Sequence, residues 1–554
     1  MVHKPLVVHN DRSIYLLEWM DQTGSIAQEL TEFADFIKAP EEVHTYKLSP
    51  YALWSAAAKG LKIQEIFSTL ERYSCNTIEA TLKAQISKNV TDFGTLELLK
   101  KDGLLELKAK NKDIVDTVCA TKQINPNIID RPGELTLRFN LNYRIELKRE
   151  LYKKDLFVID HANLIGEPFD INIRKMTRSG EQLNFRDYQI KAAQEYLRNK
   201  NSAGGGGSII MPPFSGKSLV GIKIIEALKT HTLIIVENEA SLKRWSDELD
   251  DKTDVAEDCI ACYTSTNQEI NPITISTYSF LASNQIAMGK LTQINWGLAI
   301  YDDAHKLPAE TYLQTVDIPS QYKLAMASTL ARYDGNGNLV LALVGPKWFE
   351  IVPKALEAMG YQVPITCVEV MVPLSEKDSE KYNSETKVHL RRTIAQFNDN
   401  KEMAIETLFK RDFDKNMVFV SYRKELAKRI AMKLRVPLVS SATYEDSYKI
   451  RDSFNEGKLT RIATTSIVEK VDLRGIDILV AFSYHGESER EEYLRIGKLM
   501  DATGGRVRSY FIALVSKNTI EESDYSSRRS RLINYGYRFR IVELEELGEL
   551  ELVE

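Results

Sequence analysis

Cysteine, long apolar runs and an excess of positive charge are all scarce in this chain of 554 residues. The five cysteines are too few and too scattered for a disulfide framework, which is typical of a protein from a reducing compartment. We find no signal-peptide pattern and no apolar run of membrane-spanning length, so we expect a cytoplasmic protein without a membrane partner. Because the net charge is −5, a nucleic-acid site must be a local basic groove.

The length predicts several domains, since a single hydrophobic core stops growing well below 554 residues. Residues 1–110 open with strand-like segments and continue with amphipathic helices, which predicts a small helical or α+β domain. One helix is expected over residues 49–60, which carry a proline near the start and a glycine at the end. Residues 111–180 are predicted to form a strand-rich connecting domain that includes the strand-like segments LTLRFN, RIELKRE and LFVIDH.

Short, continuous apolar runs alternate with amphipathic helical patterns from residue 185 onwards. The runs are SIIM, TLIIVE, ITIST, GLAIYDD, KLAMAST, MVFVSY, RIATTS, DILVAF and SYFIALV. Such runs are typical of parallel strands that are buried on both faces. They fall into two sets, which predicts two doubly wound parallel-sheet α/β domains in tandem, over residues 181–350 and 351–542. Residues 543–554 carry six glutamates and are predicted to be an acidic tail.

Residues 204–221, GGGGSIIMPPFSGKSLVG, combine a buried strand, a glycine-bounded loop and a helix start. A triphosphate needs backbone N–H groups, a lysine and a hydroxyl for Mg²⁺, and a loop that ends in Gly-Lys-Ser supplies all three. The backbone donors would come from Phe214, Ser215, Gly216, Lys217 and Ser218. Pro212 and Pro213 have no N–H group, so two potential donors are missing from the start of the loop. An ordinary helix start fits the same pattern, and this alternative stays open here.

Two carboxylates follow a buried strand further along the chain, in WGLAIYDDAH. In an open parallel sheet, ligands bind at the carboxyl ends of the strands, so Asp302 is expected to face the same crevice as Lys217. A carboxylate that holds Mg²⁺ opposite a Gly-Lys-Ser loop is the minimum apparatus for phosphoryl transfer. A solvated acidic pair is the alternative, but the lysine loop favours a catalytic role for Asp302 and Asp303.

A family resemblance is found when the motifs are taken in order. Seven segments of the chain resemble, in order, the motifs of the XPB-type superfamily 2 DNA helicases. They are FRDYQ, PPFSGKSLVG, WGLAIYDDAH, ASTLARYDG, LVGPKWFEI, SYHGESEREEYLRIGKL and YSSRRSRLINYGYRFRIVE. Three earlier segments resemble the N-terminal domain of the prokaryotic members of this family. They are PLVVHNDRSIYLLE, VHTYKLSPYALWSAAAKG and LERYS. The resemblance spans nearly the whole chain. It implies two RecA-like domains that hold ATP between them, with DNA running across both.

The resemblance also implies roles for individual residues. Gln189 would read adenine, and Lys217 and Ser218 would hold the phosphates and Mg²⁺. Asp302 would bind the metal through water. The residues that the resemblance links to coupling between hydrolysis and DNA are Ser328, Thr329, Arg332 and Asp334.

Several positions depart from the family pattern, and most of them concern hydrolysis. Asp303 stands where the family has a catalytic glutamate, and displacing a carboxylate by roughly 1.5 Å can cost about 10²-fold in rate. In the sixth motif, residues 494–501, Arg495 matches, whereas Lys498 and Asp501 replace arginines. Lysine cannot form the two-pronged contact of arginine, and aspartate repels a triphosphate. We therefore expect ATP to be bound and its hydrolysis to be weak.

The arginine-rich end of the chain supplies candidate DNA contacts. The candidates are Arg506, Arg508, Arg528, Arg529 and Arg531. Arginines interleaved with tyrosines such as Tyr510 and Tyr537 fit the phosphates and bases of a nucleic-acid strand. The alternative is a solvated basic helix face, with the tyrosines in the core.

The sequence is consistent with two functions. The first is an ATP-driven DNA helicase or translocase, with 3′ to 5′ polarity by resemblance, that acts in DNA repair or transcription-linked DNA opening. The second is a hydrolysis-deficient DNA-binding scaffold that acts with a partner enzyme, such as a nuclease or another repair protein. The intact phosphate-binding residues favour the first function, and the altered sixth motif favours the second.

Overall fold

Four β-sheets and the helices around them make up the described part of the chain. The computed structural model describes residues 4–39, 42–161, 166–330, 337–412, 414–440, 444–465, 473–484, 490–500, 502, 506–534 and 537–549. The chain divides into two units, one of residues 1–37 and 45–352 and the other of residues 38–44 and 353–554.

The N-terminal region packs helices against a small sheet of order β1-β2-β4-β3. Its strands are β1 (Leu6–Val8), β2 (Ser13–Leu17), β3 (Asp35–Lys38) and β4 (Val43–Lys47), and its helices are α1 (Ser25–Leu30), α2 (Pro50–Ala58), α3 (Ile63–Tyr73) and α4 (Ala80–Thr91). Helix α2 starts where the sequence predicts, because the Ser49 hydroxyl accepts a hydrogen bond from the Ala52 N–H group at 3.0 Å. Pro50 occupies the first turn, where its missing N–H group has no cost.

The next region is a five-stranded sheet of order β7-β8-β6-β5-β9, antiparallel except for the pair β5 and β9. Its elements are β5 (Leu96–Lys101), β6 (Leu104–Ala109), α5 (Lys112–Ala120), β7 (Asp130–Gly133), β8 (Thr136–Asn140), α6 (Arg144–Tyr152) and β9 (Ile159–His161). The prediction of a strand over RIELKRE is wrong, because this segment is helix α6. Its short apolar–charged alternation suits a strand, but Leu147 and Leu151 also share one helical face and are both buried. Strong helix formers at the other positions favour the helix.

The first parallel sheet has the order β12-β13-β11-β14-β15-β10-β16. Its elements are α7 (Asp187–Asn199), β10 (Gly206–Ile210), α8 (Lys217–Leu228), β11 (Thr232–Val236), α9 (Glu239–Lys252), β12 (Ile260–Cys262), β13 (Ile273–Thr277), α10 (Tyr278–Ser283), α11 (Gln285–Leu291), β14 (Trp296–Tyr301), α12 (Glu310–Leu313), β15 (Ser320–Ala327), α13 (Gly337–Val344) and β16 (Lys347–Glu350). Every residue of β10, β11, β13 and β14 is buried. This burial matches the continuous apolar runs in the sequence, since helices cover both faces of such a sheet.

The second parallel sheet has the order β19-β20-β18-β21-β22-β17-β23. Its elements are α14 (Pro353–Ala358), β17 (Ile365–Val372), α15 (Glu376–Ser384), α16 (Val388–Gln396), α17 (Asn400–Arg411), β18 (Met417–Val420), α18 (Lys424–Leu434), β19 (Leu438–Val439), α19 (Tyr444–Asn455), β20 (Arg461–Thr464), β21 (Ile478–Ala481), α20 (Arg490–Leu499), β22 (Ser509–Ser516), α21 (Ile520–Asn534) and β23 (Arg538–Glu543). Strand β17, which lies between β22 and β23, is not among the runs predicted from the sequence.

The predicted fold class is confirmed: two tandem doubly wound parallel-sheet domains follow a smaller α+β region. The predicted acidic tail differs from the structure over residues 543–549. Residues Leu544–Gly548 form a short 3-10 helix, and Leu547 is buried in the apolar core beneath the second sheet. The regular placement of leucines among the glutamates explains this packing, since the acidic side chains stay in water. Among the described helices, none is long and apolar enough to span a membrane.

A buried ion pair joins α17 to α21 in the second unit. The Lys401 Nζ atom lies 2.6 Å from the Glu521 Oε2 atom, and the two side chains are 2% and 0% exposed. The same carboxylate oxygen accepts a hydrogen bond from the Ser516 N–H group at 2.7 Å. Removing one member of such a pair leaves the other charge buried without its partner.

We expect Lys401→Met to lower the free energy of unfolding by about 3 kcal/mol, because the Glu521 carboxylate stays buried without its cation. Urea unfolding followed by circular dichroism measures the change. Lys458→Met is the control, because its pair with Glu456 is exposed and contributes at most about 1 kcal/mol. Equal effects of the two substitutions would contradict this assignment.

Candidate phosphate-binding site

The loop between β10 and α8 has the backbone shape of an anion site. Gly216 adopts a left-handed conformation with φ +79° and directly precedes the first residue of α8. The first N–H groups of a helix have no partner within the helix, and the helix dipole makes this end positive. Phe214 is also left-handed, with φ +58°, and its side chain is 45% exposed. The loop thus places the start of α8 just beyond the carboxyl end of a buried strand.

The Lys217 side chain folds back over this loop. Its Nζ atom donates hydrogen bonds to the carbonyl oxygens of Met211, at 3.2 Å, and Pro212, at 3.1 Å. A third hydrogen bond, at 3.0 Å, goes to the hydroxyl of Ser328. Removal from water lowers the pKa of the Lys217 ammonium. The lysine is thus held at the same edge of the sheet as the end of β15.

Asp302 follows β14, and both of its carboxylate oxygens accept hydrogen bonds. Its Oδ2 atom accepts a hydrogen bond from the indole N–H of Trp245 at 2.8 Å, and its Oδ1 atom accepts one from the N–H group of Asp303 at 3.1 Å. The Tyr278 hydroxyl donates to the Asp302 carbonyl oxygen at 2.9 Å. The Arg244 guanidinium lies 3.5 Å from Oδ2. Burial, and then the charge of Asp303, raise the pKa of the Asp302 carboxyl.

Asp303 lies at a sharp backbone turn after Asp302. Its φ is +50°, and it precedes a short 3-10 helix over Ala304–Lys306. Aspartate is one of the few residues other than glycine that adopts this conformation readily. Its carboxylate raises the pKa of the nearby Lys217 ammonium, opposing the effect of burial, so the two side chains share one electrostatic environment.

Gln189 lies beneath the loop, on helix α7. Its Nε2 atom donates to the Ser215 carbonyl oxygen at 2.9 Å, and its Oε1 atom accepts from the Arg186 N–H group at 2.9 Å. The Tyr188 hydroxyl donates to the same Ser215 oxygen at 2.8 Å. Gln189 is 3% exposed, and its amide already supports the loop in this structure. Its role in reading adenine stays a prediction.

The structure brings together three elements that the sequence separates. Lys217 and Ser218 come from the start of α8, Asp302 and Asp303 from the end of β14, and Ser328 from the end of β15. Thr329 follows Ser328 and is partly buried. The predicted residues Arg332, Asp334 and Asp501 lie outside the described residues, as does the side chain of Arg531.

Sequence reasoning missed Trp245 and Arg244, the two side chains of α9 that contact Asp302. Helix α9 has an ordinary amphipathic pattern, and a tryptophan in such a pattern is normally interpreted as a residue of the hydrophobic core. The contact depends on α9 packing beside β14, and no local signal in the sequence reveals it.

Two of the sixth-motif residues, Arg495 and Lys498, lie on helix α20 of the second unit. Arg495 is fully buried, with 0% of its surface exposed, whereas Lys498 is partly exposed one turn further along the helix. The catalytic roles of Arg495 and Lys498 stay predictions.

The predicted DNA contacts that the structure describes are engaged within the second unit. Arg508 donates to the Thr366 hydroxyl at 3.0 Å, Arg506 donates to the Ile476 carbonyl oxygen, and Arg529 pairs with Glu369. Arg528 requires a correction, because it is only 4% exposed.

The Arg528 guanidinium stacks over the rings of Tyr484, at 4.3 Å, and Tyr525, at 5.5 Å. The guanidinium therefore packs against these rings inside the unit, and very little of it is accessible to a DNA phosphate.

Magnesium is the metal that the sequence implies, and the residues at the loop fit it. In the described part of the chain, no group of three or more His, Cys, Asp or Glu side chains could hold a metal ion. Mg²⁺ does not require such a group, since it keeps several waters and uses one or two protein ligands together with phosphate oxygens. The Ser218 hydroxyl and the Asp302 carboxylate supply ligands of this kind.

Three family models match the chain. They are the helicase conserved C-terminal domain over residues 6–131, the type III restriction enzyme res subunit over residues 182–332, and the ERCC3/RAD25/XPB C-terminal helicase over residues 356–551. The matches follow one another along the chain, and the last two fall on the two parallel sheets.

Curated relatives match over almost the full length. A protein named DNA 3′-5′ helicase XPB from Kineococcus radiotolerans is 27% identical, over 99% of this chain and 98% of the relative. A protein of the same name from Mycobacterium tuberculosis is 28% identical, over 99% of each chain. Among solved structures, an ATP-dependent Type ISP restriction-modification enzyme bound to DNA matches with a TM-score of 0.50 and 12% identity, over 67% of this chain and 32% of the other. This last match concerns the fold alone.

The two parallel sheets, with a Gly-Lys-Ser loop on the first, form tandem RecA-like domains, and the family model that falls on the second sheet is that of the ERCC3/RAD25/XPB C-terminal helicase. Over almost its full length, the chain is similar to the XPB-type DNA helicases, bacterial forms included. The resemblance seen in the sequence is thereby confirmed at the level of the family.

We expect Gly216→Ala to destabilise the loop. An alanine Cβ at this position would lie 2.3 Å from the Gln189 Nε2 atom, and moving that buried amide breaks two hydrogen bonds, which contribute about 1 kcal/mol each. Gly103→Ala is the matched control, because Gly103 has a similar φ of +76° but nothing lies within 4 Å of an added Cβ. Thermal unfolding compares them, and equal losses would show that backbone strain alone is responsible.

Proposed function

We propose that the protein is an ATP-dependent DNA helicase or translocase that moves 3′ to 5′. The proposal is supported by relatives named DNA 3′-5′ helicase XPB, which align with 99% of this chain. It is also supported by the fold, since tandem RecA-like domains are built on parallel sheets with a phosphate loop at one edge. ATP and Mg²⁺ are the proposed cofactors, and DNA is the proposed partner.

The observation that carries this proposal is the meeting of three strand ends at one edge of the first parallel sheet. The Lys217 ammonium lies 3.0 Å from the Ser328 hydroxyl, although the two residues are far apart in the sequence. Asp302 follows β14, which pairs with the other side of β15, and its charge opposes the larger effect of burial, which lowers the Lys217 pKa. A lysine, a carboxylate and a hydroxyl at the carboxyl ends of neighbouring parallel strands suit a nucleoside triphosphate with its metal.

We assign the roles within this site as follows. The amide groups at the start of α8 and the Lys217 ammonium bind the phosphates, and Ser218 and Asp302 hold Mg²⁺. Ser328 contacts Lys217 and is therefore well placed to transmit a change at the phosphates to β15. Bound ATP supplies the phosphoryl group whose transfer to water drives movement along DNA.

We further propose that hydrolysis is slow. Asp303 is one methylene shorter than the glutamate that the family carries, so a water molecule is oriented less well. Lys498 and Asp501 stand at family arginine positions, and arginines of this kind contribute on the order of 10³- to 10⁵-fold to phosphoryl transfer. Nucleotide binding and nucleotide hydrolysis are therefore expected to differ strongly in this protein.

A second candidate is a DNA-binding scaffold that does not hydrolyse ATP and works with a partner enzyme, such as a nuclease or another repair protein. One structural observation favours it: the Lys217 ammonium is saturated by Ser328 and by two carbonyl oxygens of its own loop. A phosphate must displace these contacts before the lysine can bind it. The absence of N–H groups at Pro212 and Pro213 weakens the anion site further.

A DNA-stimulated ATPase assay separates the two candidates. For a motor, we expect turnover that rises with added DNA and falls at least about 10²-fold in Lys217→Ala, because a charged donor to the transferring group is lost. Lys223→Ala is the control, since Lys223 lies on the same helix but pairs with Glu226 on a partly exposed face. Turnover in the unmodified protein no higher than in Lys217→Ala would favour the scaffold.

Restoring the sixth motif tests the slow-hydrolysis proposal. We expect the double change Lys498→Arg and Asp501→Arg to raise the ATPase rate at least about 10-fold, because two-pronged cations replace a lysine and a repelling carboxylate. The rate at saturating ATP is the measurement. Lys517→Arg controls for a general effect of arginine, because its charge pairs with Glu543 outside the motif. An unchanged rate in the double variant would refute the role of this motif.

A further inference from the structure

Arg244 is a cation at the phosphate site that none of the predicted roles uses. It lies on helix α9, and its guanidinium is 3.5 Å from the Asp302 Oδ2 atom. The Arg244 side chain is 52% exposed, whereas that of Asp302 is 4% exposed. Arg244 is therefore the outer member of the pair and has access to solvent. Its neighbour Lys243 contacts Asp247 instead, 3.8 Å away, and is 75% exposed.

The Asp302 carboxylate does not need Arg244 to hold its orientation. Trp245 donates to Oδ2 at 2.8 Å, and the Asp303 N–H group donates to Oδ1 at 3.1 Å. These two hydrogen bonds fix both oxygens from buried groups. The Arg244 contact is longer and half-exposed, and such contacts contribute little to stability. It is therefore the contact on this carboxylate that is most easily exchanged.

The charges around the loop indicate how a metal ion would affect the contact between Arg244 and Asp302. Removal from water is the main cause of the lowered Lys217 pKa, and the positive charge of Arg244 acts in the same direction, so the two cations lie within reach of each other's field. The carboxylates of Asp302 and Asp303 balance them. A divalent cation at Asp302 would place two further positive charges beside the Arg244 guanidinium and repel it.

We propose that Arg244 is a metal-dependent phosphate-binding residue, which pairs with Asp302 when no divalent cation is present and turns to the triphosphate when Mg²⁺ takes that carboxylate. The inference rests on the proposed function, because it requires a nucleotide at the loop. Arginine suits the second role, since its planar fork matches two phosphate oxygens. The exposure of Arg244 leaves this fork free to move away from Asp302 toward solvent. It would add a cation at the loop from within the first unit.

Equilibrium binding of a fluorescent, slowly hydrolysed ATP analogue, mant-ATPγS, to the full-length chain tests this inference. Each variant is titrated once with Mg²⁺ and once with EDTA. We expect Arg244→Gln to weaken binding about 10-fold with Mg²⁺, because one charge-assisted contact to phosphate is lost. In EDTA the same change should have almost no effect, because Arg244 then stays on Asp302.

Two further variants make the result specific to this side chain. Arg244→Lys keeps the charge without the fork, so it should recover part of the affinity lost with Mg²⁺. Lys243→Gln removes one positive charge from the adjacent position of α9 and should leave binding unchanged in both conditions. If Arg244→Gln fails to fold by circular dichroism, Arg244→Lys carries the same comparison, since it should lose affinity only with Mg²⁺.

The outcomes separate this inference from the proposed function. Binding by the unmodified protein together with equal losses in Mg²⁺ and EDTA, or with no loss in Mg²⁺, would overturn the role of Arg244 and leave the proposed function standing. Failure of the unmodified protein to bind the analogue in either condition would overturn both.

Discussion

The parallel register of β10, β15 and β14 is the constraint on which the candidate site depends. Ile210 pairs with Ala327, and Tyr301 pairs with Ala325, so the three strands end at nearly the same level of the sheet. The residue that follows each strand is therefore delivered to one edge, whatever the length of chain between them. Because these strands are buried on both faces, a change of register would repack the side chains on both sides of the sheet, which keeps the geometry of the site fixed.

Much of the fold could be predicted from the sequence because its strands are buried on both faces and read as continuous apolar runs. Prediction failed where that signal is mixed. Helix α6 alternates apolar and charged residues over a short span, and strand β17 contains Thr366 and Glu369 among its apolar residues. The loop lysine and the paired aspartates could be found because their chemistry is local. Arg244 and Trp245 could not, because their contact with Asp302 arises only when α9 packs beside β14.

Departures from the family pattern do not fall evenly along the chain. In the first unit, the lysine of the loop and the first aspartate after β14 are kept, and their hydrogen bonds are well formed. In the proposed function, the altered residues would orient water and supply cations to the transferred charge. Binding depends on many small contacts, whereas turnover depends on a few groups held to within a fraction of an ångström.

The hydrogen bonds between Lys217 and its surroundings affect which ligands the loop can bind. Three hydrogen bonds must be exchanged before the ammonium can turn outward. An incoming ligand must supply acceptor oxygens in place of the three that the ammonium gives up. A triphosphate is long enough to contact the helix start and the lysine at the same time. The loop therefore favours a long, multiply charged ligand over one that reaches the lysine alone.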